Sequence, residues 1–392
     1  MLNIKKNART VIFVVSEDWY FLSHRLPQAR AVREMGFHVV VATRLDTQAD
    51  AIRSAGFEAV NISFVRRSLN VFREAKIAWQ LFRLIRARRP RVVHAVALKP
   101  ILEVGIASLF LRRIVIINAF AGLGAVLGRS ARPSPFKRIV TSLVRALSRA
   151  NCARVLVQNN DDLAFVTEQG IAPPNRVFLI PGSGINVTAF EHRPEPMGTI
   201  VISMVSRLLR NKGVVELVEA TRLLRMSGVS VQVQIVGTSD PHNPHSVTAE
   251  EIARWHNEAG VVFLGHRDDI ATVWANSHIA TLPSYYGEGV PKSLLEAAAC
   301  GRPIVTTDMP GCRDLVPDGS TGILVPPRDP LALAKALQRL IENPEQRRQM
   351  GRNARDLAVH EFADERIVVL TQDVYREALR NDISPGTPEV EH

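Results

Sequence analysis

The sequence predicts an α/β protein made of two doubly wound, Rossmann-like domains facing each other across a cleft. Three observations carry that expectation. The chain has 392 residues, more than one ordinary α/β core holds. Short runs of Val, Ile and Ala alternate with amphipathic stretches, the rhythm of parallel strands covered by helices on both faces. The rhythm breaks at Pro181-Gly182-Ser183-Gly184 and the proline-rich 193–197, then restarts.

In the first half the strand candidates are 10–15, 38–43, 92–95, 115–118, 154–158 and 177–180, with helical patterns near 27–35, 73–88, 101–111 and 135–150. In the second half strands are expected at 200–205, 231–236, 261–264, 279–282, 304–306 and 323–325. Helices are expected at 214–226, 249–258, 270–275, 291–300, 331–342 and 345–360, with a last one near 364–379. The expected organisation is a first domain over 1–190 and a second over 191–365. A helix at 366–380 packs back on the first domain, and a polar tail at 381–392 frays. Open sheets of this kind bind ligands at the carboxyl ends of their strands.

A hydrophobic share of 46% with 22% charged residues is that of a folded chain and excludes disorder beyond the ends. Cys152, Cys300 and Cys312 are odd in number and scattered, which excludes a disulfide framework and suits a reducing cytoplasm. Lys5, Lys6 and Arg9 precede an apolar run at 11–15, too short for a signal peptide. No stretch has the roughly 18 apolar residues of a membrane span. The net charge is +11, unevenly placed: residues 1–190 hold 28 Lys and Arg against 11 Asp and Glu, a balance of +17, and residues 191–392 hold 21 against 27, a balance of −6. The first half therefore suits a polyanion or an anionic membrane surface.

The densest chemistry lies in Glu288-Gly289-Val290-Pro291-Lys292-Ser293-Leu294-Leu295-Glu296. Two carboxylates stand eight residues apart across a loop-to-helix junction. Pro291 suits the first helical position and Gly301 the position past the end. Glu288 then falls in the loop and Glu296 in the second turn, roughly 7–8 Å along the axis. The helix start, with free N–H groups and a positive dipole end, suits a phosphate. Carboxylates beside an anion site serve hydroxyls instead, and a nucleotide sugar carries hydroxyls on both sides of its diphosphate. The plainer reading is a helix-start carboxylate and a solvated one. Upstream, Ser206-Arg207-Leu208-Leu209-Arg210-Asn211-Lys212-Gly213 joins a strand to a helix. Arg207 offers a fork of donors and Lys212 a point charge, a pair suited to a diphosphate.

With Trp19–Pro27, Val92–Pro100, Gly122-Leu123-Gly124, Pro181–Asn186 and Gly301–Asp308, these motifs make the chain resemble family 4 of the retaining glycosyltransferases, of GT-B fold. The bacterial capsule, exopolysaccharide and O-antigen branch is the nearest in pattern. The resemblance covers about residues 10–375. It implies that Arg207 and Lys212 hold the donor diphosphate and neutralise the leaving group, that Glu288 contacts the transferred sugar, and that Glu296 binds the ribose. Backbone N–H groups from Gly289 through Val290 and Lys292 to Ser293 assist. It implies a UDP-sugar donor, a polyprenyl-diphosphate-linked saccharide acceptor, and transfer with retention at the anomeric carbon. No metal and no other cofactor are implied. Asp161-Asp162 and Asp268-Asp269 each sit where a helix begins and read as capping carboxylates instead of metal ligands.

The first domain is then expected to bind the acceptor. His24 and Arg25 precede Pro27, a suitable first helical residue, and would lie at the cleft rim; local packing is the alternative for His24. His94 ends a buried strand and is followed by Lys99, and a buried satisfied histidine is its alternative. Relatives carry a His near the end of the next strand; here Asn118 occupies that region. Gly122 and Gly124 belong to a glycine-rich run mis-spaced for a dinucleotide fingerprint and read as a cleft loop. The basic stretches 83–91 and 132–149 lie on or beside helices, and the second is amphipathic, which suits docking on anionic lipid at the inner face of the cell membrane. Few aromatics are interleaved with the charges, so nucleic acid is not expected. Two other readings remain open: a UDP-sugar 2-epimerase-like isomerase, and an inactive nucleotide-sugar-binding partner subunit.

Overall fold

The structure, a computed structural model, describes residues 9–380 except 66–69, 112–113, 124–126, 128–133 and 241–242. Gly124, Arg132 and the tail 381–392 lie outside the described residues. Among the described residues thirteen strands form two sheets. In the first, β1 (Thr10–Glu17), β2 (His38–Arg44), β3 (Glu58–Asn61), β4 (Val92–Val96), β5 (Val115–Ala119), β6 (Arg154–Val157) and β7 (Val177–Leu179) run in the order β3-β2-β1-β4-β5-β6-β7. In the second, β8 (Val201–Val205), β9 (Gln232–Val236), β10 (Val261–Gly265), β11 (Ile279–Leu282), β12 (Ile304–Thr307) and β13 (Gly322–Val325) run β10-β9-β8-β11-β12-β13. Every neighbouring pair is parallel. Order reverses at β1/β4 and at β8/β11, and the crevice of such a sheet lies beyond the strand ends at those points.

The central strands are buried on both faces, which is why they read as mostly apolar runs rich in Val and Ile. On one face of the first sheet, Phe21 of α1 (Asp18–His24), Ala29 and Val32 of α2 (Leu26–Glu34) and Ile52 of α3 (Ala49–Ser54) close a core. On the other face, α4 (Val71–Arg88), α5 (Leu98–Ser108), α6 (Pro135–Ala150) and α7 (Asn160–Glu168) supply Ile77, Leu81, Ile101, Val104, Val144 and Phe165. Helix α4 starts where the Asn70 side chain accepts from the N–H groups of Phe72 and Arg73, and α6 where Ser134 accepts from that of Lys137; such caps contribute about 1 kcal/mol each.

The second core gathers α8 (Val214–Met226), α9 (Ala249–Ala259), α10 (Ile270–Ala275), α11 (Lys292–Ala299), α12 (Pro330–Glu342) and α13 (Pro344–Glu361) about the second sheet. The chain crosses between the halves twice, at Ile185 and Ala363, which pair as a parallel bridge. Helix α14 (Asp364–Arg380) then packs against α2, and Ile367, Val374, Tyr375 and Ala378 complete the core begun by α1 to α3.

The differences from the sequence expectation are local. Strand β3 has four residues and sits half-buried at a sheet edge, so it carries no apolar run. Helix α1 follows β1 without a loop, and a single residue, Arg25, divides it from α2. Helix α5 begins at Leu98, three residues before the expected 101, because Pro100 falls in its first turn, where a missing N–H costs nothing. Helix α11 begins at Lys292, with Pro291 as its N-cap instead of its first residue.

Candidate active site

The β8–α8 loop and the loop after β11 meet at one point. Arg210–Lys212 forms a short 3-10 turn that ends at Gly213, whose φ is +83°. A Cβ at Gly213 would stand 2.2 Å from the Pro283 carbonyl oxygen, so only glycine lets the two loops close. That approach places the Lys212 ammonium 2.5 Å from Glu288 Oε2. Ser284 Oγ donates to Glu288 Oε1 at 2.8 Å. Lys212 and Glu288 are only 17% and 14% exposed, so their attraction is poorly screened. Glu296 lies in the second turn of α11. Burial pushes its carboxyl up to about 7, against the pull of Lys292 and of the Trp274 indole. The N-terminus of α11 has no side-chain cap. Arg207 is half-exposed and stands 3.8 Å from Asp240, outside the Lys212–Glu288–Ser284 cluster.

The first half closes over this point. Gly122, at φ +93°, lies so near the other half that a Cβ there would meet the Gly289 nitrogen at 2.3 Å. Asn159 Nδ2 donates to the Glu288 carbonyl at 3.2 Å. Lys292 donates to the Ser23 carbonyl across the cleft. Arg313 binds Asp161 through both carboxylate oxygens at 2.8 and 2.7 Å, and its Nε holds Asp308 at 2.6 Å. His24 stacks on Tyr20 with ring centroids 4.3 Å apart, and its Nδ1 lies 2.5 Å from Ser23 Oγ. Burial first, then the charges of Lys292, Arg25 and Lys212, push its pKa down to about 3. His24 is therefore a neutral ring beside a cluster of cations.

The other candidates of the first half engage in structural bonds. Arg25 is buried and donates to Gln28 Oε1 at 3.0 Å. His94 is fully buried, stacks on Phe13, and shares a 2.8 Å hydrogen bond between its Nδ1 and the Tyr375 hydroxyl of α14. Burial, with Arg25 nearby, takes its pKa down to about 3. The Lys99 ammonium binds Glu74 and the Val65 carbonyl, each at 2.9 Å. Asn118 is buried and donates to Ser148 Oγ of α6 at 3.1 Å. None of these four reaches the Lys212–Glu288 cluster through a hydrogen bond.

The capping assignment of the aspartate pairs needs correction. Asn159 caps α7, accepting from the Asp162 N–H at 2.8 Å, while Asp161 reaches Arg313. Asp269 holds the N-cap position of α10 but makes no cap bond; its carboxylate is gripped by Arg267. Among the described residues no group of three or more His, Cys, Asp and Glu side chains could hold a metal ion. Ser284, Asn159 and the Asp161–Arg313 pair were missed as site residues. Asp161 and Asn159 carry a sequence signal, a polar side chain where a helix begins, and that signal points to capping instead of the cleft.

Two facing parallel sheets with a cation–carboxylate cluster where their strand ends meet define a GT-B glycosyltransferase. Solved structures agree on the fold: a glycosyltransferase from Rickettsia africae superposes with a TM-score of 0.77 at 18% identity, covering 96% of this chain and 100% of that one. Anabaena Alr3699/HepE in complex with UDP-glucose superposes with a TM-score of 0.71 at 17% identity, covering 94% and 98%. Residues 10–159 match the family described as "Glycosyl transferase 4-like" and residues 188–357 the family "Glycosyl transferases group 1". The chain belongs to this glycosyltransferase family. Among its relatives, the "N,N'-diacetylbacillosaminyl-diphospho-undecaprenol alpha-1,3-N-acetylgalactosaminyltransferase" of Campylobacter jejuni is 26% identical over 85% of this chain and 92% of its own. The "Capsular polysaccharide biosynthesis glycosyltransferase CapM" of Staphylococcus aureus is 22% identical over 89% and 91%. Among the described residues no helix is long and apolar enough to cross a membrane.

Proposed function

We propose that this glycosyltransferase moves a hexosyl or N-acetylhexosaminyl group, with retention, from a UDP-sugar to a polyprenyl-diphosphate-linked saccharide in surface polysaccharide assembly. The observation that carries the reading is the Lys212–Glu288–Ser284 cluster at the strand ends of the second sheet, faced across the cleft by His24 and Gly122. Lys212 neutralises the leaving diphosphate, with Arg207 swinging from Asp240 to join it. Charge stabilisation of that group is the largest contribution open to the protein. Glu288, released from Lys212 when the diphosphate arrives, takes hydroxyls of the transferred sugar, and Glu296 takes the ribose. The departing phosphate accepts the acceptor's proton. Gly289, Val290, Lys292 and Ser293 bring the α11 N-terminus to the phosphates.

In this reading the second half binds the donor and residues 1–190 bind the acceptor, at an anionic membrane surface on the inner face of the cell membrane. The relatives' names, which include a diphospho-undecaprenol substrate and a capsular pathway, support the class of acceptor, and the UDP-glucose complex of HepE supports the class of donor. Cations already surround the diphosphate position, so the reaction needs no metal. The test is product analysis with a series of nucleotide sugars and a polyprenyl-diphosphate acceptor, with and without a strong chelator. Sugar transfer that persists in chelator supports the reading. A donor altered without any acceptor product points to an isomerase, and loss in chelator restored by Mg²⁺ or Mn²⁺ overturns metal independence.

A further inference from the structure

Helices α4, α5 and α6 lie side by side over one face of the first sheet. Their outward surface carries Phe72, Trp79, Ile106, Phe136, Ile139 and Leu143, all exposed. The same three helices hold ten Lys and Arg against two Glu. An exposed surface both this apolar and this basic is unusual for a free domain. Helix α6 divides its exposed side in two. Phe136, Ile139 and Leu143, at 54%, 65% and 41% exposure, follow one stripe at helical spacing. Arg138, Ser142, Arg145 and Arg149 follow another about a third of a turn away.

Beside the basic stripe, between α6 and α7, lies a cavity of about 500 Å³. Lys137, Arg138 and Arg145 line it with Ser134, Ser142 and Phe165, and among the described residues Glu168 is the one carboxylate in the lining. Lys137 stands over the Phe165 ring at 5.7 Å. Arg145 Nε is buried and has no hydrogen-bond partner, a cost that an anion in the cavity would remove.

We propose that this cavity seats the phosphate of an anionic bilayer lipid, taken up as the apolar stripe of α6 enters the membrane interface. The pairing of an apolar stripe with a basic hollow matches the acyl-to-headgroup boundary, where an interfacial helix lies. The inference rests on the reading of the protein as a transferase working at a membrane surface, and it adds a discrete site to what a diffuse basic field would do.

The test is co-sedimentation of the full chain with vesicles of phosphatidylglycerol and phosphatidylcholine or of phosphatidylcholine alone. Arg138→Ser with Arg145→Ser is compared with Arg83→Ser with Arg86→Ser, an equal charge change on α4. The α4 pair should weaken binding to the anionic vesicles about fivefold per cation. The cavity pair should weaken it at least about tenfold further, since it also removes charge-assisted hydrogen bonds. Ser142→Glu, an exposed change that needs no refolding, should reproduce the larger loss. Turnover on a water-soluble acceptor should be unchanged in all of them. Equal losses in the two pairs, equal binding to both vesicle types, or an inert Ser142→Glu overturns the proposal. So does inorganic phosphate that stabilises the wild type but not the cavity pair while vesicles show no preference, which assigns a soluble anion. A cavity that fails while soluble turnover persists leaves the transferase reading intact. No transfer to any acceptor with the vesicle result intact sinks that reading alone.

Discussion

In the second half of the molecule, residues picked from two short motifs 76 positions apart in sequence come into direct contact, Lys212 against Glu288. In the first half, four of the picked residues turn inward instead: Arg25 to Gln28, His94 to Tyr375, Lys99 to Glu74 and Asn118 to Ser148. On the proposed reading, the contrast reflects how each half binds. A diphosphate needs concentrated charge, which a loop ending in glycine and a helix N-terminus can present within a few residues. An acceptor is held by shape along a crevice, so its contacts come from many elements and leave no compact motif.

The sharpest way to break the comparison is at Lys212. On the proposed reading Lys212 faces a diphosphate that gains charge as the glycosidic bond breaks, so Lys212→Ala should lower kcat by roughly 10²–10³. It also strands the mostly buried Glu288 carboxylate, so its Tm should fall. Lys212→Ala combined with Glu288→Gln should recover the Tm but not the turnover. Glu288→Gln alone should lower kcat and leave UDP affinity nearly unchanged, whereas Glu296→Ala should weaken UDP. Calorimetry with UDP beside initial rates reads all of these. UDP binding lost in Glu288→Gln and kept in Glu296→Ala would reverse the roles of the two glutamates.

A smaller effect, and of the opposite kind, is expected in the first half. Asn118→Ala leaves the Ser148 hydroxyl without its partner in the core, a loss of about 1 kcal/mol. Lys99→Met breaks the Glu74 pair. Both should lower Tm by a few degrees and leave kcat within about twofold. A tenfold fall in kcat at unchanged Tm would place either residue in the acceptor site after all.

How legible the molecule was follows the same division. The strand ladder could be read because parallel strands buried on both faces are mostly apolar and rich in Val and Ile; β3, four residues at an edge and no more than half-buried, had no such mark. Lys212 and Glu288 could be read because their spacing to Gly213 and Pro291 is local. The partners that close the cleft could not. Asp161 reaches Arg313 across 152 residues of sequence, and at the head of a helix an aspartate looks like a cap whether it caps or crosses to the other half. Asn159 holds the cap position expected of the aspartates, and its amide also holds the Glu288 carbonyl. Tertiary contacts of this kind are set by how the halves meet, which local spacing does not encode.

The Asp161–Arg313 pair joins the two halves, so weakening it tests how far their meeting governs the site. Both side chains are partly exposed, and pairs of this kind contribute up to about 1 kcal/mol. Asp161→Asn should raise the donor KM by no more than about fivefold, enlarge the radius of gyration seen by small-angle scattering, and leave kcat at saturating donor close to wild type. A kcat loss as large as that of Lys212→Ala would mean that closure assembles the catalytic cluster.

The smallest expected effect is in the pH dependence of stability, where the two halves should pull in opposite directions. Partly buried Glu296 keeps its proton in the folded protein up to about 7, against an ordinary value of 4.5. Between those values the folded state holds more protons than the unfolded one, so this residue makes stability fall as pH rises. His94 behaves conversely. Its folded pKa is about 3 against an ordinary 6.5, so the unfolded state takes up the proton first and stability falls as pH drops through that window. Glu296→Gln cannot ionise; its Tm relative to wild type should climb from pH 4.5 to 7 and level off above. His94→Asn should shift Tm by an offset for lost packing, and its Tm relative to wild type should improve as pH falls below 6.5. On the proposed reading saturating UDP should flatten the Glu296 curve, because ribose hydroxyls would donate to the carboxylate and favour its ionised form. A Glu296→Gln difference that stays constant across pH 4.5 to 7 would show the carboxyl to be ionised and solvated throughout, and would remove the enclosed ribose contact from the second half.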